Sequence, residues 1–139
     1  MQNLTSPILE RRALAVLRIA VAVLIILHGV ARVWLGIVDD FGTYLDGLGF
    51  SFGLVLAWII TVVEIVGGVA LAAGFFVRPL AIWFTVQLLA GVALIHFAEG
   101  WFVVGAGRNG MEYSVLLIVA LVLLAWTNVG RNMSGAAGL

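Results

Sequence analysis

Four runs of apolar residues, each close to the length of a bilayer crossing, occupy most of this chain: 14–37, 52–76, 80–98 and 111–126. A helix that crosses a hydrocarbon core of ~30 Å needs about 20 such residues. Hydrophobic residues make up 64% of the 139 and charged residues only 10%, whereas a soluble domain carries roughly 45–50% and about 25%. One small globule cannot bury that excess, so lipid is the solvent for these faces, which excludes a soluble enzyme and a disordered tail. Seven Lys and Arg balance seven Asp and Glu, so no basic patch is available for nucleic acid. Cysteine is absent, which removes thiolate catalysis, disulfide exchange and Cys-ligated zinc or iron–sulfur centres. The expected fold is all-α: one domain over 1–139, a transmembrane four-helix bundle with short interfacial segments capping the outer side.

The residues between the runs punctuate them. Asp39 and Asp40 close the first, Ser51 is placed to N-cap the second, and Pro79 suits the first position of the third helix. Glycines between 105 and 110 break the chain before the fourth. The first run is far longer than the ~7–15 apolar residues of a signal peptide and reads as a retained span. Arg11, Arg12, Arg78 and Arg131 fall on one side, which predicts cytoplasmic termini for a multi-pass protein. On the other side, Phe41, Tyr44, Leu45 and Leu48 recur at helical spacing and predict a short helix in the interface. Trp101 and Phe102 there suit headgroup depth. Gly29 with Gly36, and Gly67 with Gly74, offer close-packing faces within the bundle or toward a second copy.

Polar groups inside the runs carry the functional signal, because a charge at mid-membrane costs about 2.5–3.5 kcal/mol on insertion scales. His28 and Arg32 are four apart and share a helix face. Glu64 lies near the middle of the second run and is followed by Gly67 and Gly68, which admit either a neighbouring helix or a flat ligand. His96 ends the third run and Glu112 opens the fourth. These five ionisable groups are expected to gather in the outer half of the bundle. The bland alternatives are inter-helix hydrogen bonds for the histidines and a capping box over Asn109-Gly110-Met111-Glu112, with the carboxylate at the third helical position. Arg18 is expected to snorkel to the headgroups, and Gln87 to bridge helices. No Glu-x-x-His or His-x-x-x-His pair anchors a metal, so none is expected.

The order of these features resembles the DoxX family. It is carried by His28-Gly29, Glu64 with Gly67-Gly68, Phe75-Phe76-Val77-Arg78, His96, Gly100-Trp101-Phe102 and Asn109-Gly110-Met111-Glu112-Tyr113, spanning roughly 11–126. Ala98-Glu99-Gly100 stands where the family often has a Pro-Asn-Gly-like turn. The resemblance implies a small four-helix protein of the prokaryotic cytoplasmic (inner) membrane. Its relatives include the membrane part of a thiosulfate–quinone oxidoreductase, partners of peripheral oxidoreductases in oxidative and thiol stress, and proteins of quinone and nitroaromatic resistance.

Three classes of function fit. In a quinone-linked membrane oxidoreductase subunit, Glu64 exchanges a proton, His28 or His96 binds a carbonyl oxygen and Arg32 stabilises charge, with Glu112, Gly67 and Gly68 lining the site. Electrons then come from a partner, since the chain has no motif for flavin, haem or iron–sulfur binding. A proton-coupled small-molecule transporter also uses one deep acid, although in small multidrug exporters that acid sits in the first helix. A non-catalytic scaffold for peripheral enzymes tolerates loss of both Glu64 and His28.

Overall fold

The computed structural model describes residues 7–128, so Arg131 lies outside the described residues. It is helical, with no strand among those residues. Helix α1 spans Pro7–Trp34 and α2 spans Val38–Gly47. Helix α3 runs Gly53–Ala73, α4 runs Val77–Glu99 and α5 runs Glu112–Thr127. Among the described residues, three stretches are long and apolar enough to cross a membrane: Ile8–Trp34, Gly53–Ala73 and Val77–Glu99. Helix α5 is apolar but has only 16 residues. Each of α3 and α4 contains one widened π turn, at Val63–Gly67 and Val92–His96.

Several boundaries move from where the sequence pattern sets them. Helix α1 stops at Trp34, because Gly36 turns into the left-handed region at φ 68°. Asp39 and Asp40 therefore do not close α1; they sit in the first turn of α2, where carboxylates oppose the positive end of the helix dipole. Ser51 is not the N-cap of α3. Phe52 holds that position in a left-handed conformation, and the first helical N–H, from Gly53, donates instead to Asp46 Oδ1 at 2.7 Å. Pro79 is the third residue of α4 rather than the first, still within the turn whose N–H groups have no intrahelical acceptor. Helix α5 starts at Glu112 with Met111 as N-cap and no side-chain cap, so the capping box does not form. Gly36 and Gly74 lie beyond the ends of their helices, so neither predicted glycine pair makes a stripe along one helix.

The chain forms two compact units. One is 22–75, comprising the end of α1, α2 and α3. Val38, Leu45 and Ala57 are buried together there, with Phe41, Leu56 and Ile60 against them. This bears out the short helix predicted from Phe41, Tyr44, Leu45 and Leu48, with Leu45 turned inward and Tyr44 left exposed. Its seat on α3 depends on two missing side chains. A Cβ on Gly53 would collide with Gly42 O, and one on Gly42 would stand 2.7 Å from Leu54 Cα. In the same unit, a Cβ on Gly29 would stand 2.9 Å from Ile65 Cγ1 and 3.0 Å from Glu64 Cβ, so α1 and α3 run almost backbone to backbone.

The other unit joins residues 7–21 to residues 76–128. Helices α4 and α5 pack against each other in it, burying Val77, Ala81 and Phe84 from one and Leu117, Leu121 and Leu124 from the other. Arg18 belongs to this unit. It is half-buried, with its Nε enclosed by protein.

Candidate functional site

Gly29 and Arg32 are one turn apart on α1, so the contact of Gly29 with α3 carries Arg32 to the face of α3 that bears Glu64. There the guanidinium makes a two-point ion pair. Arg32 Nη1 donates to Glu64 Oε2 at 2.9 Å and Nη2 donates to Oε1 at 3.4 Å. Nη1 also donates to Thr61 Oγ1 at 2.9 Å. The Thr61 hydroxyl passes its own hydrogen to Ala57 O at 2.7 Å, so that oxygen is free to accept from the arginine. Thr61 and Glu64 are three apart, on adjacent turns of one face. From α2, Phe41 lays its ring under the guanidinium, with Cζ 4.7 Å from the ring centroid, a favourable placement for a cation. The pair is deeply enclosed: the Glu64 side chain is 4% exposed and that of Arg32 is 11% exposed.

Glu64 sits in the π turn Val63–Gly67. Such turns shift the helical register by one residue and recur at functional sites. Gly67 and Gly68 are both buried. At Gly68 the bare face is occupied by α1, since a Cβ there would stand 2.6 Å from Ile26 Cγ1. Of the two readings of that glycine, helix approach is the one realised, and no room for a flat ligand exists at that position.

A guanidinium has five N–H donors. Three are engaged by Thr61 and the two carboxylate oxygens, which leaves Nε–H and one Nη2 hydrogen without a partner among the described residues. His28, one turn earlier on α1, is exposed, and neither ring nitrogen has a hydrogen-bond partner among the described residues. It is not an inter-helix bond. The unit 22–75 thus holds two spare arginine donors beside a buried carboxylate, with an exposed imidazole one turn earlier on α1. Together these groups can hold an uncharged molecule with carbonyl oxygens, because Glu64 already cancels the charge of Arg32.

His96 and Glu112 belong to the other unit. His96, the last residue of the π turn in α4, places Nδ1 2.7 Å from Asn109 O. A carbonyl can only accept, so Nδ1 carries the hydrogen and a neutral ring presents a bare Nε2. Glu112 Oε1 accepts from Val103 N–H at 3.0 Å. Both side chains tie down the segment between α4 and α5. Sequence reasoning missed Thr61 and the cation contact of Phe41. The signal for Thr61 was present: it is a second polar residue three before Glu64 in an otherwise apolar run.

A family model described as DoxX matches residues 13–97, a span that holds His28, Arg32, Thr61, Glu64 and His96 and stops short of Glu112. An uncharacterized protein of Haemophilus influenzae is 28% identical over 117 residues, covering 84% of each chain. No solved structure matches. The family match covers well over half of the chain, and the apolar helices agree with it: this is a membrane protein, and it belongs to the DoxX family.

Proposed function

We propose that this chain is the quinone-binding subunit of a membrane oxidoreductase, with Arg32, Glu64 and His28 as its site. The observation that carries the reading is the pair of Arg32 N–H donors left over beside a buried Glu64. An intramembrane ion pair is costly, and its default meaning is function. A charge-neutral pair with donors to spare selects a neutral acceptor, and a quinone head group is flat, apolar and edged by two carbonyl oxygens. When bound, a quinone supplies an acceptor for two electrons and two protons. Arg32 would donate to a carbonyl oxygen through the N–H groups that Glu64 and Thr61 leave over. His28 binds from the lipid-exposed side of α1, and Glu64 hands on protons at its carboxylate. Electrons come from a peripheral partner that holds its own redox group.

In this reading α1, α3, α4 and α5 are the four spans of a multi-pass bundle in a prokaryotic cytoplasmic membrane, both termini are cytoplasmic, and α2 lies in the outer interface. Mass spectrometry of the protein purified from membranes in mild detergent tests the function. Quinone retained by the wild type and lost from Glu64→Gln and His28→Ala is the expected result. No enrichment of quinone over bulk lipid in the wild type overturns it. Proton-driven uptake in vesicles, abolished by Glu64→Gln, would then identify a transporter instead.

A further inference from the structure

Between α4 and α5 the chain runs Val103-Val104-Gly105-Ala106-Gly107-Arg108 around an open concavity of about 490 Å³. The base of this loop is pinned from both ends. Gly110 N–H donates to Phe102 O, Met111 N–H to Gly100 O and Glu112 N–H to Trp101 O, at 3.0–3.2 Å. The Glu112–Val103 and His96–Asn109 bonds add side-chain ties. Gly107 and Gly110 press on Phe102 O so closely that Cβ atoms there would stand 2.9 and 2.5 Å from it. The tip is therefore held in shape while its own backbone stays open. No N–H from Val104 through Asn109 has a hydrogen-bond partner among the described residues.

Arg108, on the rim, is exposed and makes no ion pair among the described residues. Of the nearby carboxylates, Glu112 turns one oxygen to the loop base, and Glu99 is exposed at the end of α4. Unpaired backbone N–H groups around a concavity, with a cation beside them, are the elements of an oxyanion cradle. Arginine and backbone N–H together match the oxygens of a phosphate. Trp101 and Phe102 at the foot of the loop are exposed, as aromatic residues at the level of lipid phosphates are.

We infer that the 103–108 loop is a binding site for a phosphate group, with Arg108 as its charged contact and the loop N–H groups as its cradle. The site is independent of Arg32 and Glu64. Two sources share this chemistry, a phospholipid headgroup and a free phosphorylated solute, and two probes separate them. The full chain in maltoside micelles is titrated with inorganic phosphate by calorimetry. It is also equilibrated with phosphatidylglycerol or with diacylglycerol of the same acyl chains, and native mass spectrometry reads the lipid retained. Arg108→Gln is compared with Arg78→Gln, which removes an equal charge from an exposed position in the first turn of α4.

Retention of phosphatidylglycerol over diacylglycerol assigns the headgroup, and saturable phosphate binding assigns the solute. In either case Arg108→Gln weakens binding by about tenfold or more, the loss of one charge-assisted hydrogen bond, while Arg78→Gln leaves it unchanged. Neither probe binding the wild type, equal binding by Arg108→Gln, or an equal loss in Arg78→Gln each overturns the inference.

Discussion

Replacing Arg32 and Glu64 by leucine, singly and together, separates what the pair does for the fold from what it does for a ligand. In Glu64→Leu the guanidinium keeps Thr61 and Phe41 but loses its counter-charge, at a position only 11% exposed. In Arg32→Leu the carboxylate, 4% exposed, loses the cation that engages both of its oxygens. Breaking a buried pair from one side costs about 3–5 kcal/mol, because the surviving charge stays buried and loses its counter-ion. Removing both charges together is a different perturbation. Apolar residues in place of a buried pair are often neutral, or stabilising by about 1–4 kcal/mol, and here they also remove the expense of charge inside a membrane helix. The double variant is therefore expected within about 1–2 kcal/mol of the wild type, while each single variant falls well below it. The assay is unfolding in mixed micelles of rising dodecyl sulfate fraction, followed by helical circular dichroism. A double variant as damaged as the two single losses combined refutes the reasoning, since contacts that couple must be non-additive.

Two packing predictions follow from the unit 22–75. Gly68→Ala places a methyl group 2.6 Å from Ile26 Cγ1, an overpacking of about 1–3 kcal/mol; because the obstacle is a side chain, adding Ile26→Ala makes the combined loss smaller than the two separate losses in the same unfolding assay. Gly53→Ala collides with the backbone oxygen of Gly42, so no side-chain change relieves it, and tryptophan fluorescence should report α2 detached from α3. Asp46→Ala removes the acceptor of the first N–H of α3 and is expected to lower stability by about 0.5–2 kcal/mol, the range of a lost N-cap. Asp46→Asn is expected to recover most of that loss.

The helices were legible because hydropathy over some twenty residues is a strong signal, and charge inside such a run is a costly exception. That logic singles out Arg32 and Glu64 from the sequence alone. It could not pair them to each other, because five ionisable groups of similar depth allow many pairings. What selected Arg32 for Glu64 was Gly29, whose missing side chain sets the distance between α1 and α3. The π turns at Val63–Gly67 and Val92–His96 were not legible, since one extra residue per turn leaves hydropathy unchanged. In sequence Phe41 is an interfacial apolar residue, and its place beneath a cation depends on where α2 lands on α3. Asp46 is not legible as a cap, because a capping side chain normally adjoins its helix and this carboxylate comes from seven positions earlier. Glu112 failed as a cap for a related reason: the nearby loop presented Val103 N–H, a donor outside the helix altogether.

The stability-matched double variant also shows whether Arg32 and Glu64 form a quinone site. A short-chain, water-soluble benzoquinone is titrated into the wild type and into the Arg32→Leu/Glu64→Leu variant in the same micelles, with quenching of tryptophan fluorescence as the readout. Saturable binding to the wild type and only linear partitioning in the variant, at matched stability, is the expected result. Equal saturable binding by the two proteins, or none by the wild type, would contradict it.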